Sequence, residues 1–180
     1  MTASSRDAFR VRRATPGDAE QLADFAVRIF AETFGAANDP SDLALHLGAA
    51  FGVAQQTREL EDPDYITLIA EDEEGLAGFA QVRRGATPEC VEHESPVELY
   101  RFYVASRWHG LGLARALMDR VHEAAHELGG ASVWLSVWER NPRAIAFYGK
   151  CGFVDVGSTD FFVGRDRQKD RVMIAPVALM

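Results

Sequence analysis

The residue patterns predict a mixed α/β fold in which one sheet carries helices on its faces. Three observations lead there. A half-buried strand pattern, VELYRFYV at 97–104, runs into a glycine turn that opens directly into a helical run ending near Gly129. Two further strand patterns, 65–71 and 76–84, flank Asp72-Glu73-Glu74-Gly75, a hairpin signature. Two more, 153–164 and 170–179, close the chain around a charged turn. The predicted order is β-α-α-β-β-β-α-β-α-β-β, a mixed sheet rather than a pure parallel or antiparallel one.

The elements follow from local chemistry. FRVRRATPGD alternates early and breaks at Pro16-Gly17, giving a first strand and turn. Asp18 can cap a helix bearing Leu22, Phe25, Ala26, Ile29 and Phe30 at helical spacing. Asn38-Asp39-Pro40 interrupts it, and Ser41 is read as the cap of a second helix through Leu43, Leu47, Phe51 and Val53. Glu59 to Asp64 is acidic, contains Pro63 and is read as a loop. Gly129-Gly130 ends the central helix. SVWLSVW at 132–138 is strongly β-prone, and Asn141-Pro142 starts a short helix with Asn as cap and Pro in the first turn.

With 180 residues and 47% hydrophobic side chains, one domain over 1–180 with one sizeable core is expected. MTASSRDAFR lacks an apolar signal segment, and no apolar run is long enough to span a bilayer, so a cytoplasmic protein without membrane partners is expected. Cys90 and Cys151 have neither disulfide-framework nor zinc-ligand spacing and are read as ordinary thiols. A formal charge of −8 argues against nucleic-acid binding and suits a cationic small molecule.

The glycine turn is the chemical centre. Helix starts leave N–H groups unpaired and carry partial positive charge, which receives phosphates. A dinucleotide fingerprint fails because its last glycine position is Arg115, and a Walker loop is absent. The turn does fit Arg-x-x-Gly-x-Gly/Ala, written Arg107-Trp108-His109-Gly110-Leu111-Gly112, with Leu113-Ala114 following. A tight turn that binds nothing accounts for the glycines alone equally well.

Downstream, Asn141-Pro142-Arg143-Ala144-Ile145-Ala146-Phe147-Tyr148-Gly149-Lys150-Cys151-Gly152-Phe153 reads N-x-x-A-x-x-F-Y-x-x-x-G-F. The two motifs in this order resemble the Gcn5-related N-acetyltransferase (GNAT) superfamily over Glu98 to Phe153, and the finer text is similar to a bacterial polyamine-acetylating subgroup. The resemblance implies the acyl-CoA N-acyltransferase fold, with acetyl-CoA as cosubstrate and no metal. The amides of Gly110, Leu111, Gly112, Leu113, Ala114 and Arg115 would hold the pyrophosphate. Arg107 is the family's basic position, and His109 lies in the same turn. Backbone groups of Phe102, Tyr103 and Val104 would pair with the pantetheine arm like an added strand, which demands a gap beside 132–138. Asn141 would sit near the pantetheine and Tyr148 near the sulfur.

The acceptor amine, with a pKa near ~10, must lose a proton before it attacks the thioester. Glu98 is the candidate base, directly or through water, because two-residue alternation puts Glu98, Tyr100, Phe102 and Val104 on one strand face. A central-strand N–H, that of Val104 or a neighbour, would meet the oxyanion, and Tyr148 would protonate the thiolate. Each has a duller reading: Glu98 as a solvent-facing charge, Tyr148 as a partner of Phe147, Asn141 as a cap alone. The expected acceptor is a polyamine or another small amine, with Glu59, Glu61, Asp62 and Asp64 as contributing charges. A protein N-terminus or lysine comes next, and the resemblance allows a homodimer. A CoA-holding regulatory module without turnover is the rival of another class.

His122-Glu123-Ala124-Ala125-His126 also matches H-E-x-x-H, a zinc hydrolase pattern, but Ser132 stands where the extended form needs a third histidine. At ~100° per residue, Leu113, Leu117, Val121, Ala124, Ala125 and Leu128 share one arc, with both histidines outside it. That phase places the histidines on a wet flank as surface residues.

Overall fold

The computed structural model describes residues 8–178, so the expectation for 1–7 and the last strand position, 179, lies outside the described residues. Seven strands form one sheet: β1 (Arg10–Arg13), β2 (Tyr65–Asp72), β3 (Gly75–Arg83), β4 (Pro96–Val104), β5 (Ser132–Trp138), β6 (Val154–Val163) and β7 (Asp166–Pro176), in spatial order β1-β2-β3-β4-β5-β7-β6. All neighbours are antiparallel except β4 and β5. That exception follows from the connection: a helix, not a hairpin, returns the chain, and a crossover makes neighbours parallel.

Helices α1 (Ala19–Phe34), α2 (Pro40–Phe51) and α3 (Val53–Glu61) cover one face, and α4 (Leu113–Glu127) and α5 (Pro142–Lys150) the other. α4 buries the predicted arc, Leu113, Leu117, Val121, Ala124 and Ala125 being closed off from solvent. Two sequence readings are corrected here. The cap of α2 is Asp39, whose carboxylate accepts from the Ser41 and Asp42 N–H groups, with Pro40 in the first turn. Residues 59–61 are helical, because Gly52 takes an extended conformation and restarts the chain as α3. The closing turn is also shorter than its charge suggested: only Gly164 and Arg165 separate β6 from β7.

Glu59 is not a solvated charge. Its carboxylate meets the Arg101 guanidinium of β4 at 2.5 Å, both side chains being buried. Arg101 also donates to Gln81 Oε1 at 2.6 Å and to the Ala50 carbonyl at 2.9 Å. One buried guanidinium thus ties the α2–α3 junction to the middle of the sheet.

β4 does not alternate evenly. Val82 pairs with Leu99 but Gln81 with Arg101, so Tyr100 is an extra residue, a β-bulge. Val97 and Leu99 before the bulge, and Phe102 and Val104 after it, pack with α4 and α5. The expected shared face of Glu98, Tyr100, Phe102 and Val104 is therefore wrong: the bulge puts Glu98 on the side away from Phe102 and Val104.

Removing one partner of a buried ion pair strands the other charge, at a cost of roughly 3–5 kcal/mol. Glu59→Ala is expected to lose stability on that scale in urea unfolding, against a few tenths for the exposed Glu61→Ala.

Candidate active site

β4 and β5 are paired only at Pro96–Ser132, Val97–Val133 and Glu98–Trp134. Beyond those three rungs the strands part, as the expected gap requires. The register to β3 shows which backbone groups face the gap. Ala105 N–H bonds the Ala77 carbonyl at 2.8 Å, so every second residue back from Ala105, including Tyr103, spends its backbone groups on β3. Phe102 and Val104 turn theirs outward. Tyr103, expected to pair with a ligand arm alongside them, has its backbone committed to the sheet.

The turn after β4 is built to leave N–H groups free. Gly110 and Gly112 have φ +76° and +92°, which β-carbon-bearing residues avoid, and a Cβ on either would point into open space. Gly112 is the cap of α4 and no side chain caps that helix. Its first N–H groups and its positive end therefore face an open cradle suited to an anion.

Arg107 does not face this cradle. Its Nε and Nη2 donate to Asp72 at 3.0 and 2.8 Å, and Trp108 Nε1 donates to the same carboxylate at 2.5 Å. Burial works against the Asp72 charge, but the Trp108 and Arg107 bonds outweigh it and hold the carboxyl below its ordinary range. Arg107 thus clamps the turn to the β2–β3 hairpin, a correction to its expected contact with the ligand. His109 takes the inner place. Arg143 donates to its Nδ1 at 2.8 Å, and guanidinium only donates, so Nε2–H donates to the Val104 carbonyl at 3.0 Å.

A cavity of about 290 Å³ runs through the gap and is lined from both faces of the sheet. On the α4–α5 side lie Phe102, Val104, His109, Gly110, Ala114, Asn141, Arg143 and Tyr148. Asn141 caps α5, its Oδ1 accepting from the Ala144 N–H at 3.2 Å. Tyr148 is buried against Phe102, Phe147 and Phe153, and burial pushes its phenol well above the ordinary value, so it stays protonated at neutral pH.

The α1 side is lined by Phe30, Phe34, Asn38, Arg101, Tyr103, Ser136, Trp138, Phe161, Gln168 and Asp170, among others. Phe30 and Phe34 form its wall, while Phe51 is core. Burial pushes the Asp170 carboxyl up to about 6; a hydrogen bond from Ser136 opposes this, and Glu139 adds to it. Its Oδ1 is buried without a hydrogen-bond partner.

The structure therefore gathers Phe102, Tyr103, Val104, His109, Gly110, Ala114, Asn141 and Tyr148 around one cleft. Leu113 is buried in the core and Arg115 bonds Asp119 at 3.1 Å, leaving their amides as groups at the helix start, whereas the exposed Leu111, expected to offer its amide too, donates that N–H to the Trp108 carbonyl at 3.2 Å. Glu98 does not line the cleft: Arg83 Nε donates to its carboxylate at 2.5 Å. Sequence reasoning missed Arg143 and Asp170. Arg143 carries a signal, since a cation in the first turn of a helix opposes the dipole and needs a reason. Asp170 carries one too, as the acidic member of a strand face continued by Val172 and Ile174.

The H-E-x-x-H segment has a structural role instead. His122 is buried, not on a wet flank; it packs near Phe153 and its Nδ1 accepts from the Ala178 N–H at 3.2 Å. Among the described residues no three His, Cys, Asp or Glu side chains are grouped to hold a metal ion, and no helix is long and apolar enough to cross a membrane.

Residues 23–153 match the family described as acetyltransferase (GNAT) family. An uncharacterized N-acetyltransferase of Mycobacterium tuberculosis is 34% identical over 157 residues, spanning 87% of this chain and 96% of that protein. A streptothricin acetyltransferase of Streptomyces lavendulae is 30% identical over 173 residues, 87% of each chain. The crystal structure of a PaiA N-acetyltransferase from Thermoplasma acidophilum in complex with coenzyme A shares the fold, with a TM-score of 0.74 at 18% identity over 93% of this chain and 98% of that one.

A carboxyl raised to about 6 in the folded state holds a proton that the unfolded chain has already released, so its contribution to stability falls as pH rises from about 4 to 6. Urea unfolding at pH 4 and pH 7.5 is expected to show Asp170→Asn gaining roughly 2–3 kcal/mol over the parent across that interval.

Proposed function

The chain belongs to the acetyltransferase (GNAT) family and is an acetyl-CoA-dependent N-acetyltransferase, and we propose that its acceptor is a small molecule bearing primary amines, a polyamine first. The coenzyme fits the residues present. The uncapped start of α4 offers the amides of Gly110 and of Gly112 to Arg115 for the pyrophosphate, and the outward backbone groups of Phe102 offer pairing for the pantetheine arm. Arg143 and Asn141 stand beside that path. Bound there, acetyl-CoA supplies an activated acyl thioester for direct attack in a ternary complex.

The protein's own groups divide the remaining work. Val104 N–H faces the gap and meets the oxyanion that develops as the amine attacks. Its carbonyl is held by His109, which fixes the peptide plane on the other side of that residue. Tyr148 donates its proton to the departing sulfur, and its buried, neutral phenol suits that task. Glu98, bound by Arg83 and outside the cleft, is replaced as direct base by a route within the cavity.

One observation carries the preference for a small acceptor. The β6–β7 hairpin is tied down over the α1 side of the cavity. Arg165 donates to Asp42 at 2.9 Å through Nε, and Gln168 Nε2 donates to Asn38 Oδ1 at 2.6 Å. A mouth narrowed in this way favours a slender amine over a polypeptide N-terminus or a lysine on a folded protein. A second reading, acetylation of a streptothricin-like antibiotic amine, is supported by the 30% identical relative of that name. Of the acidic residues expected to attract a polyamine, Glu59 is consumed by Arg101, and Glu61, Asp62 and Asp64 are exposed residues outside the cavity lining, Asp64 pairing with Arg84 at 3.2 Å.

Acetyl-transfer assays by mass spectrometry over spermidine, streptothricin, amino acids and peptides are expected to give mono-acetylated small amines and no acetylated peptide; transfer to peptides alone contradicts the preference. Tyr148→Phe is expected to lower kcat roughly a hundredfold with coenzyme A affinity nearly unchanged, and unchanged kcat excludes the proton-donor role.

A further inference from the structure

Four carboxylates are buried among the described residues: Asp18, Glu59, Glu98 and Asp170. Three have their own arginine. Arg12 meets Asp18 at 2.8 Å, Arg101 meets Glu59 at 2.5 Å and Arg83 meets Glu98 at 2.5 Å. Asp170 has no basic partner, and its Oδ1 is wholly enclosed without a hydrogen bond. A buried, half-satisfied carboxylate is costly, and a fold that neutralises every other one has left this cost in place at the wall of its reaction cavity.

The position explains why. Asp170 pairs with Trp138 across β5 and β7, so the carboxylate and the indole stand side by side on the α1 face, where the strands have parted. Phe34 meets Trp138 edge to face with centroids 6.1 Å apart. An anion flanked by aromatic faces is the chemistry that receives an ammonium. The nearby Arg101 is committed elsewhere: Glu59 and Gln81 take Nη1, and the Ala50 carbonyl and Tyr100 hydroxyl take Nη2.

We propose that Asp170 is the residue that captures the acceptor's cationic nitrogen and takes from it the proton it must lose before attack. This rests on the acetyltransferase reading and adds to it the acceptor-side group. The ammonium supplies the cation Asp170 lacks. One N–H bond of the ammonium breaks and an O–H bond forms at the Asp170 carboxylate, freeing the lone pair. The nitrogen then forms its bond to the acyl carbon as the C–S bond breaks, and Tyr148 protonates the sulfur. The nitrogen's second proton returns to Tyr148 through solvent, and Asp170 releases its own to solvent as product leaves. The protein therefore selects acceptors that arrive as cations, not alcohols or neutral amides.

The test is a comparison of Asp170→Asn with the parent on three probes, spermidine, streptothricin and a peptide with a free N-terminus, with thiol release as the readout. For every probe the parent acetylates, Asp170→Asn is expected to raise the acceptor KM roughly tenfold to a hundredfold and to lower kcat. The KM for acetyl-CoA and the thermal shift given by coenzyme A are expected to stay within twofold and within error, respectively. An acceptor KM and kcat unchanged in Asp170→Asn overturn the proposal. So does a variant that loses coenzyme A binding in step with acceptor binding, or melts lower than the parent at pH 7.5, because both mark a structural role. A parent that binds coenzyme A but acetylates none of a broad amine panel overturns the acetyltransferase reading itself, and Asp170 with it.

Discussion

The molecule is organised by the parting of two strands. β4 and β5 share three rungs and then separate, and Phe102, Val104, Asn141, Arg143, Tyr148 and Asp170 all line the opening. A parallel pair would ordinarily hydrogen-bond along its whole length, since unpaired strand edges inside a sheet leave polar groups unsatisfied. Here the bulge at Tyr100 bends β4 where the pairing ends, and Arg101, the next residue, is held by the buried contacts to Glu59 and Gln81. The open edge is held by a rigid frame, so the Phe102 backbone groups and the Val104 N–H can wait for a ligand.

Charge placement follows the same economy. Arginines within the fold neutralise buried carboxylates or fasten loops: Arg107 pins the anion-binding turn to the β2–β3 hairpin through Asp72, and Arg165 pins the β6–β7 hairpin to α2 through Asp42. Two charged groups in the cavity depart from this pattern. Arg143 sits at the positive start of α5 with a histidine as partner, and Asp170 has no cation. One lies on each side of the opening, matching a cosubstrate rich in phosphate on the α4–α5 side and the cationic acceptor proposed for the α1 side.

Much of this was legible in the residues. The strand, glycine turn and helix at 97–129 and the Asn141 cap follow from local chemistry, and the gap beside SVWLSVW from the family resemblance that two motifs in a fixed order carry. What escaped was non-local. A period of two cannot register an extra residue, so the bulge at Tyr100 moved Glu98 off the face assigned to it. Glu59 looks like one of a run of solvated acids until Arg101, 42 residues away in sequence, is seen beside it. Arg107 was matched by motif position, but Asp72 decides where its side chain points. His122 lies off the main apolar arc of α4, yet the residues that follow β7 cover it. Asp170 was unremarked because nothing in one strand says that its neighbours withhold a cation.

Amide hydrogen exchange followed residue by residue, with and without coenzyme A, tests the central claim most directly. Phe102 and Val104 N–H groups should exchange quickly in the free protein and become protected when coenzyme A fills the opening, while Tyr103, already bonded to β3, should change little. Protection that is equal at all three before addition, or absent at Phe102 and Val104 afterwards, would contradict a sheet held open to receive its ligand.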